Sequence, residues 1–195
     1  PPRSTLFPYT TLFRSSVTRR PRKAQPQAPK QEPITRSSAP TKVTGRVWRI
    51  PVDNIDTDMI FHNRHLAITA REEMGQHTFG NLAGYERFAK EAKPGDIIVT
   101  GKNFGAGSSR QQAVDCFLAL GTSVIVAESF GAIYERNAIN VGMPILCAPA
   151  LDAVQDGDEV NVDFRTGVLQ VPSRGVSVQG QPFSDVQLQI GRAHV

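Results

Sequence analysis

The chain has 195 residues, 39% of them hydrophobic, and a formal net charge of +4. No apolar run approaches the ~20 residues of a membrane-spanning helix, so no membrane partner is expected; two cysteines, Cys116 and Cys147, both in apolar surroundings, exclude a disulfide-dense scaffold and suit buried thiols in a reduced, cytoplasmic protein. The positive charge is local: nine of the 22 Lys and Arg residues but one of the 18 acidic residues, Glu32, fall in 1–42, which leaves 43–195 with 13 basic and 17 acidic residues and a charge of −4.

Residues 1–15 (PPRSTLFPYTTLFRS) back-translate codon by codon into a common sequencing-library adaptor, and 190–195 (IGRAHV) into the opposite one. Both are set aside as non-native translation, and the natural C-terminus is expected to be missing. Residues 16–42 are rich in Pro, Gln, Ser and Lys/Arg and nearly devoid of apolar side chains. Such a stretch cannot bury enough surface to offset its ordering entropy, which predicts a disordered basic extension. Its charge has no folded platform or motif beside it, so no nucleic-acid partner is expected. Residues 43–189 are then one domain, long enough for a real core.

Alternation over 43–52 (VTGRVWRIPV) predicts a strand, followed by a polar turn at 53–58. Residues 70–75 and 84–92 read as helices; in the second, Tyr85, Phe88, Ala89 and Ala92 share a face. KPGD at 93–96 is a turn, 96–102 (DIIVTGK) a buried strand, and 103–109 a Gly-rich loop. A helix over 110–120 ends at Gly121; a strand at 123–127, a helix at 130–139 and a short strand at 144–147 follow. Beyond Asp158 short strands are predicted at 159–164, 167–171 and 176–178. The order gives an α/β fold, a parallel α/β core with an additional antiparallel β segment beside it.

The octapeptide Asn103-Phe104-Gly105-Ala106-Gly107-Ser108-Ser109-Arg110 sits between a buried strand and a helix. A helix N-terminus there offers free N–H groups to a carboxylate or oxyanion. Gly105 and Gly107 let the backbone turn and approach a ligand closely. Ser108 and Ser109 add hydroxyls, and Arg110 can grip a carboxylate with two parallel hydrogen bonds. The plain alternative is a serine-capped helix behind a glycine turn. No Lys precedes the serine pair, so the loop is not a P-loop.

This loop, NFGAGSSRQQA, resembles the signature of the swivel domain shared by aconitases, homoaconitases and isopropylmalate dehydratases. Ile55-Asp56-Thr57-Asp58-Met59-Ile60 resembles that family's DTDxI turn, and residues 128–137 (ESFGAIYERN) its SFxxIxxxN helix start. The likeness runs over 43–164, and the free-standing length resembles the small subunits of bacterial and archaeal enzymes. The resemblance implies an aconitase-type swivel domain within a hydro-lyase that interconverts 2- and 3-isopropylmalate in leucine biosynthesis. It implies Ser108 as the proton-transfer base, Ser109 and Arg110 as substrate-carboxylate contacts, and Asp58 as an acidic active-site residue. For Asp58 a turn-forming role is the alternative.

The resemblance also implies a [4Fe–4S] cluster with one open iron, held by three cysteines. Cys116 and Cys147 are not spaced as cluster ligands, so the chain is expected to bind no cofactor or metal itself. The cluster is expected on a large partner subunit, in a heterodimer or heterotetramer, with this chain inert alone. The segment after DTDxI, which meets the variable arm of the substrate in the family, reads Phe61-His62-Asn63-Arg64-His65-Leu66-Ala67-Ile68-Thr69. Homoaconitases resembling this chain carry an arginine at the position of Ala67. Ala67 and Ile68 offer no charge, which favours an apolar arm, isopropyl or dimethyl, while Arg64 can still reach a carboxylate. His65 and Leu66 complete the specificity loop; His62 and His65 are read as loop histidines, not metal ligands. Ile60-Phe61-His62 departs from the commoner proline-containing IIP version. The competing readings are a homoaconitase or 2,3-dimethylmalate dehydratase small subunit, and a non-catalytic module that cradles a di-acid or other anion.

Overall fold

The structure, a computed structural model, describes residues 41–185 and 187–188. The expectations for 1–15, for 16–40 and for 190–195 lie outside these residues. Seven strands form one mixed sheet in the order β4-β3-β2-β1-β5-β6-β7. They are β1 (Lys42–Ile50), β2 (Ile97–Thr100), β3 (Val124–Ala127), β4 (Ile145–Cys147), β5 (Glu159–Asp163), β6 (Val168–Val171) and β7 (Val176–Gln179). Short helices accompany them, among the described residues α1 (Thr57–Ile60), α2 (Arg71–Met74), α3 (Phe88–Glu91), α4 (Gln112–Leu120) and α5 (Ala132–Asn140). The mixed α/β class follows the sequence pattern.

The antiparallel strands lie beside the parallel core in the same sheet, and β1 joins the two halves. Its residues Val47 to Ile50 pair in parallel with β2, and Lys42 to Arg46 pair antiparallel with β5. The fold therefore starts earlier than composition indicated: Lys42 is the first residue of β1, and Thr41 O accepts from Phe164 N at 2.8 Å.

Strands β2 and β3 are buried at every position, as expected for parallel strands covered on both faces. On one face Ile98 and Ile125 pack with Phe117 of α4, Tyr134 of α5 and the aromatics Phe61, Phe79, Phe88 and Phe104. On the other, Ile97, Val99, Val124 and Val126 share a cluster with Val160 and Val162 of β5 and Leu169 and Val171 of β6. The sheet thus curls so that its antiparallel half covers the face that α4 and α5 leave. After β7, Gln181 N donates to Cys147 O at 2.8 Å, which places chain against the outer edge of β4.

Two predicted helices shrink to single turns. In 84–92 only α3 is helical, because Gly84 has φ +86° and its N–H is taken by the Glu86 carboxylate. In 70–75, α2 passes directly into a 3-10 turn at Gly75–His77. The face shared by Phe88 and its neighbours is satisfied instead by aromatic packing: Phe88 meets Trp48 at 4.9 Å and Phe79 at 5.0 Å, edge to face.

Candidate active site

The serine loop leaves β2 and is anchored twice before it reaches Ser108. Phe104 N donates to Ser129 O at 3.0 Å and Gly131 N returns a bond to Phe104 O at 2.8 Å, which stitches the loop to the start of α5. On its other side Gly105 N donates to Ile55 O at 2.7 Å, and Ala106 O accepts from Thr57 N at 2.9 Å. Gly105 has φ 75°, and a Cβ there would lie 2.2 Å from Cγ of the buried Tyr134, so the ring of α5 forms the floor of the loop. Gly107, φ 94°, then turns the chain outward. The three stretches that carry the sequence resemblance are therefore in direct contact.

Ser108 and Ser109 are exposed. Thr57 Oγ1, on a buried residue, donates to Ser108 O at 3.1 Å and lies 3.4 Å from Ser108 Oγ. Ser109 Oγ accepts from Asn137 Nδ2 at 3.4 Å. The helix does not begin at Arg110 as the sequence suggested; α4 starts at Gln112, with Gln111 as its cap position and no side-chain cap bond. Ser108 thus lies four residues ahead of α4, and the nearest hydroxyl support comes from Thr57. The serines are not capping residues, which removes the plain structural reason for their presence.

Arg110 turns toward the DTDxI turn. Its Nη1 donates to Asp58 Oδ1 at 2.6 Å and to Phe61 O at 3.2 Å. Asp58 is not the turn-forming residue; that role belongs to Asp56, whose Oδ1 accepts from Asp58 N and Met59 N at 2.8 and 2.7 Å and caps α1. Asp58 instead organises the rim: Asn63 N donates to its Oδ1 at 3.0 Å and Asn81 Nδ2 to its Oδ2 at 3.3 Å. The bond from Arg110, with help from Asn63 N, outweighs partial burial and holds the Asp58 carboxyl below the usual carboxylate range. Asp58 is therefore an ion that fixes Arg110 and not a proton donor at neutral pH.

Residues Asn63–His65 form a 3-10 turn hung from Asp58. Arg64 Nε donates to His65 Nε2 at 2.9 Å, so Arg64 lies along the loop. Leu66 and Ala67 are exposed, whereas Ile68 packs partly buried against the core. Of the four residues expected to line the specificity loop, Ile68 points inward and Leu66, at 39% exposure, is the open apolar side chain. Thr57, Asn81 and Asn137 were missed as site residues. Asn137 stands in a motif already noted, but Asn81 is 23 positions from its partner and has no sequence signal. A groove lined by Trp48, Arg49, Tyr85, Arg87 and Asp156 shares no residue with this rim.

Residues 51–149 match the aconitase C-terminal domain family. The chain belongs to that family. Within it, the chain is 43% identical over 148 residues to the methanogen homoaconitase small subunit of Methanothermobacter thermautotrophicus, covering 76% of this chain and 84% of that one. It is 44% identical to the 3-isopropylmalate dehydratase small subunit of Aquifex aeolicus, covering 73% and 84% of the two chains. The crystal structure of 3-isopropylmalate dehydratase from Methanocaldococcus jannaschii superposes with a TM-score of 0.73 at 33% identity, covering 78% of this chain and 89% of that one. The family match spans the DTDxI turn, the serine loop and α5, while the antiparallel strands β5 to β7 lie outside it.

Proposed function

We propose that the chain is the small subunit of an aconitase-type hydro-lyase that interconverts 2- and 3-isopropylmalate, acting with a large iron–sulfur subunit in the cytoplasm. The observation that carries the reading is the exposed rim where Ser108, Ser109 and Arg110 meet the DTDxI turn. Ser108 takes or returns the proton beside the substrate carboxylate. A serine hydroxyl is a poor base until its alkoxide is stabilised; Thr57 Oγ1, 3.4 Å away, is the local group that does so once its single hydrogen swings from Ser108 O to Ser108 Oγ. Arg110 is held by one nitrogen on Asp58, leaving the rest of its guanidinium for a substrate carboxylate.

The aconitase-type cluster does not fit this chain. Cys116 is fully buried, and burial pushes its thiol up to about 12; burial also raises Cys147. Neither is a ready thiolate, and two cannot supply three ligands. On this reading the cluster is held by the large subunit, and no step on this chain runs through it.

Relatives are named for isopropylmalate, homoaconitate and isopropylmalate/citramalate chemistry. Leu66 and Ala67 present no cation to the arm of the substrate, which favours isopropylmalate over a homologue with a further carboxylate. Co-expression with the large subunit and a substrate panel tests this: isopropylmalate should be the preferred substrate, and this chain alone should hold no iron and show no turnover. Preference for homoaconitate would overturn the substrate assignment. A chain that binds di-acids but supports no dehydration with the large subunit would make it a binding module.

A further inference from the structure

Three histidines and one arginine crowd one side of the specificity segment. The rings of His65 and His77 stack with centroids 3.8 Å apart and planes 16° from parallel. The buried Phe61 ring meets both edge-on, at 6.0 and 6.2 Å. His62 Nδ1 accepts from Arg64 N at 3.1 Å, and His65 Nε2 accepts from Arg64 Nε at 2.9 Å. An imidazole that accepts at Nε2 is neutral and carries its proton on Nδ1. The surroundings favour that form. Burial first, then the charges of His77, Arg64 and His62, hold His65 below the ordinary histidine range. These face it from its own turn and from the 3-10 turn Gly75–His77. Among the described residues no carboxylate forms an ion pair with any of the three histidines.

Arg64 is the only permanent cation in 61–69. Its long stem would let an unrestrained guanidinium sweep outward past Leu66 and Ala67. We propose that His77 is a positioning residue for substrate selectivity: stacked on His65, it fixes that ring as an acceptor and so restrains Arg64 along the loop. The proposal rests on the hydro-lyase reading above. With Arg64 restrained, the substrate arm meets Leu66 and Ala67. With the stack lost, the acceptor turns away and Arg64 is free to pair an additional carboxylate.

The test uses the full chain assembled with its large subunit. The ratio of kcat/KM for homocitrate, which carries an extra carboxylate, to that for 2-isopropylmalate is measured across variants. His77→Ala should raise this ratio on the order of tenfold, the size of one gained charge-assisted contact. The change should lie in KM, with kcat for 2-isopropylmalate within about twofold of the unaltered enzyme. His77→Phe keeps a stacking ring and should keep the original ratio. His65→Phe removes the acceptor and should match His77→Ala, with no further change in the double variant. An unchanged ratio in His77→Ala, or a His77→Phe enzyme that behaves like His77→Ala, overturns the proposal. Nitrogen-15 NMR of the uncomplexed full chain gives a readout that needs no turnover. His65 should show a protonated Nδ1 and a bare Nε2 in the unaltered chain and in His77→Phe, and a tautomer mixture in His77→Ala. An unaltered His65 spectrum in His77→Ala sinks the proposal even if the assembled enzyme acts on neither substrate, an outcome that by itself would defeat only the hydro-lyase reading.

Discussion

Ser108 is a hydroxyl beside Thr57 Oγ1, and Arg110 is a guanidinium pinned by Asp58. A group that acts mainly in the transition state should show in turnover and not in binding. Ser108→Ala in the assembled enzyme should lose on the order of two to four decades of kcat, the usual range for a positioned acid–base group. Ser109→Ala should cost less, and Arg110→Lys should chiefly raise KM, because Lys keeps the charge but not the fork. Gel filtration must show that each variant still docks; a docked Ser108→Ala that exchanges the substrate's transferable proton normally would rule Ser108 out. Gly105 is a different kind of site residue. An added Cβ would fall 2.2 Å from Tyr134 Cγ, at a backbone φ of 75°, and Tyr134 is buried and hydrogen-bonded to Ala113 O. Gly105→Ala should therefore destabilise the fold by about 3 kcal/mol, read by denaturant unfolding, while an equally stable variant would show that the loop floor yields. The serine loop and the DTDxI turn stand out in the sequence, but the division of labour between Asp56 and Asp58 does not. Both are aspartates in one turn, and only the backbone path decides which of them caps α1.

Among the elements, β1 holds the two halves together, and Asp96 is its clamp. The Asp96 carboxylate accepts from Arg46 Nε and Nη2 at 3.1 and 2.7 Å, Trp48 Nε1 at 2.7 Å and Lys93 N at 2.8 Å. Burial opposes its charge, but the bonds from Arg46, Lys93 N and Trp48 outweigh burial and leave its pKa below the usual carboxylate value. A depressed folded pKa contributes stability that is present above about pH 4 and is lost as pH falls through the folded value. Asp96→Asn should cost about 2 kcal/mol at neutral pH, a figure kept low because Arg46 is 41% exposed and screened by water. The variant's unfolding free energy should also change less between pH 5 and pH 3 than that of the unaltered chain. Equal acid slopes would show that Asp58 and Asp163, which are also depressed, carry the effect. Strands were read well because burial on both faces leaves unbroken runs such as IIV at 97–99. The helices over 84–92 and 70–75 were over-read, since apolar spacing cannot distinguish a helix from a run of turns that delivers the same side chains to one aromatic cluster.

For the whole molecule, the boundary at the N-terminal side is testable. A chain trimmed to 41–189 should melt within a few degrees of the full chain, because the residues removed are low in apolar content or read as adaptor translation. Trimming to 46 should cost clearly more, since it removes the pairing of Lys42 to Gly45 with β5 and the Lys42–Asp163 ion pair. Equal melting of the two trimmed chains would show that the first half of β1 is dispensable. The sequence by itself determined the α/β class, the strand–loop–helix order, the serine loop and the family likeness, because these depend on runs and spacings within about ten residues of chain. Only the tertiary structure decided that β1 is shared, that the antiparallel strands curl over the second face, that Ile68 turns inward while Asn81 and Asn137 join the rim, and that His77 stacks on His65. Those outcomes rest on pairings between residues far apart in the chain, and pattern along the chain carries no record of which distant partner a strand edge or a side chain will meet.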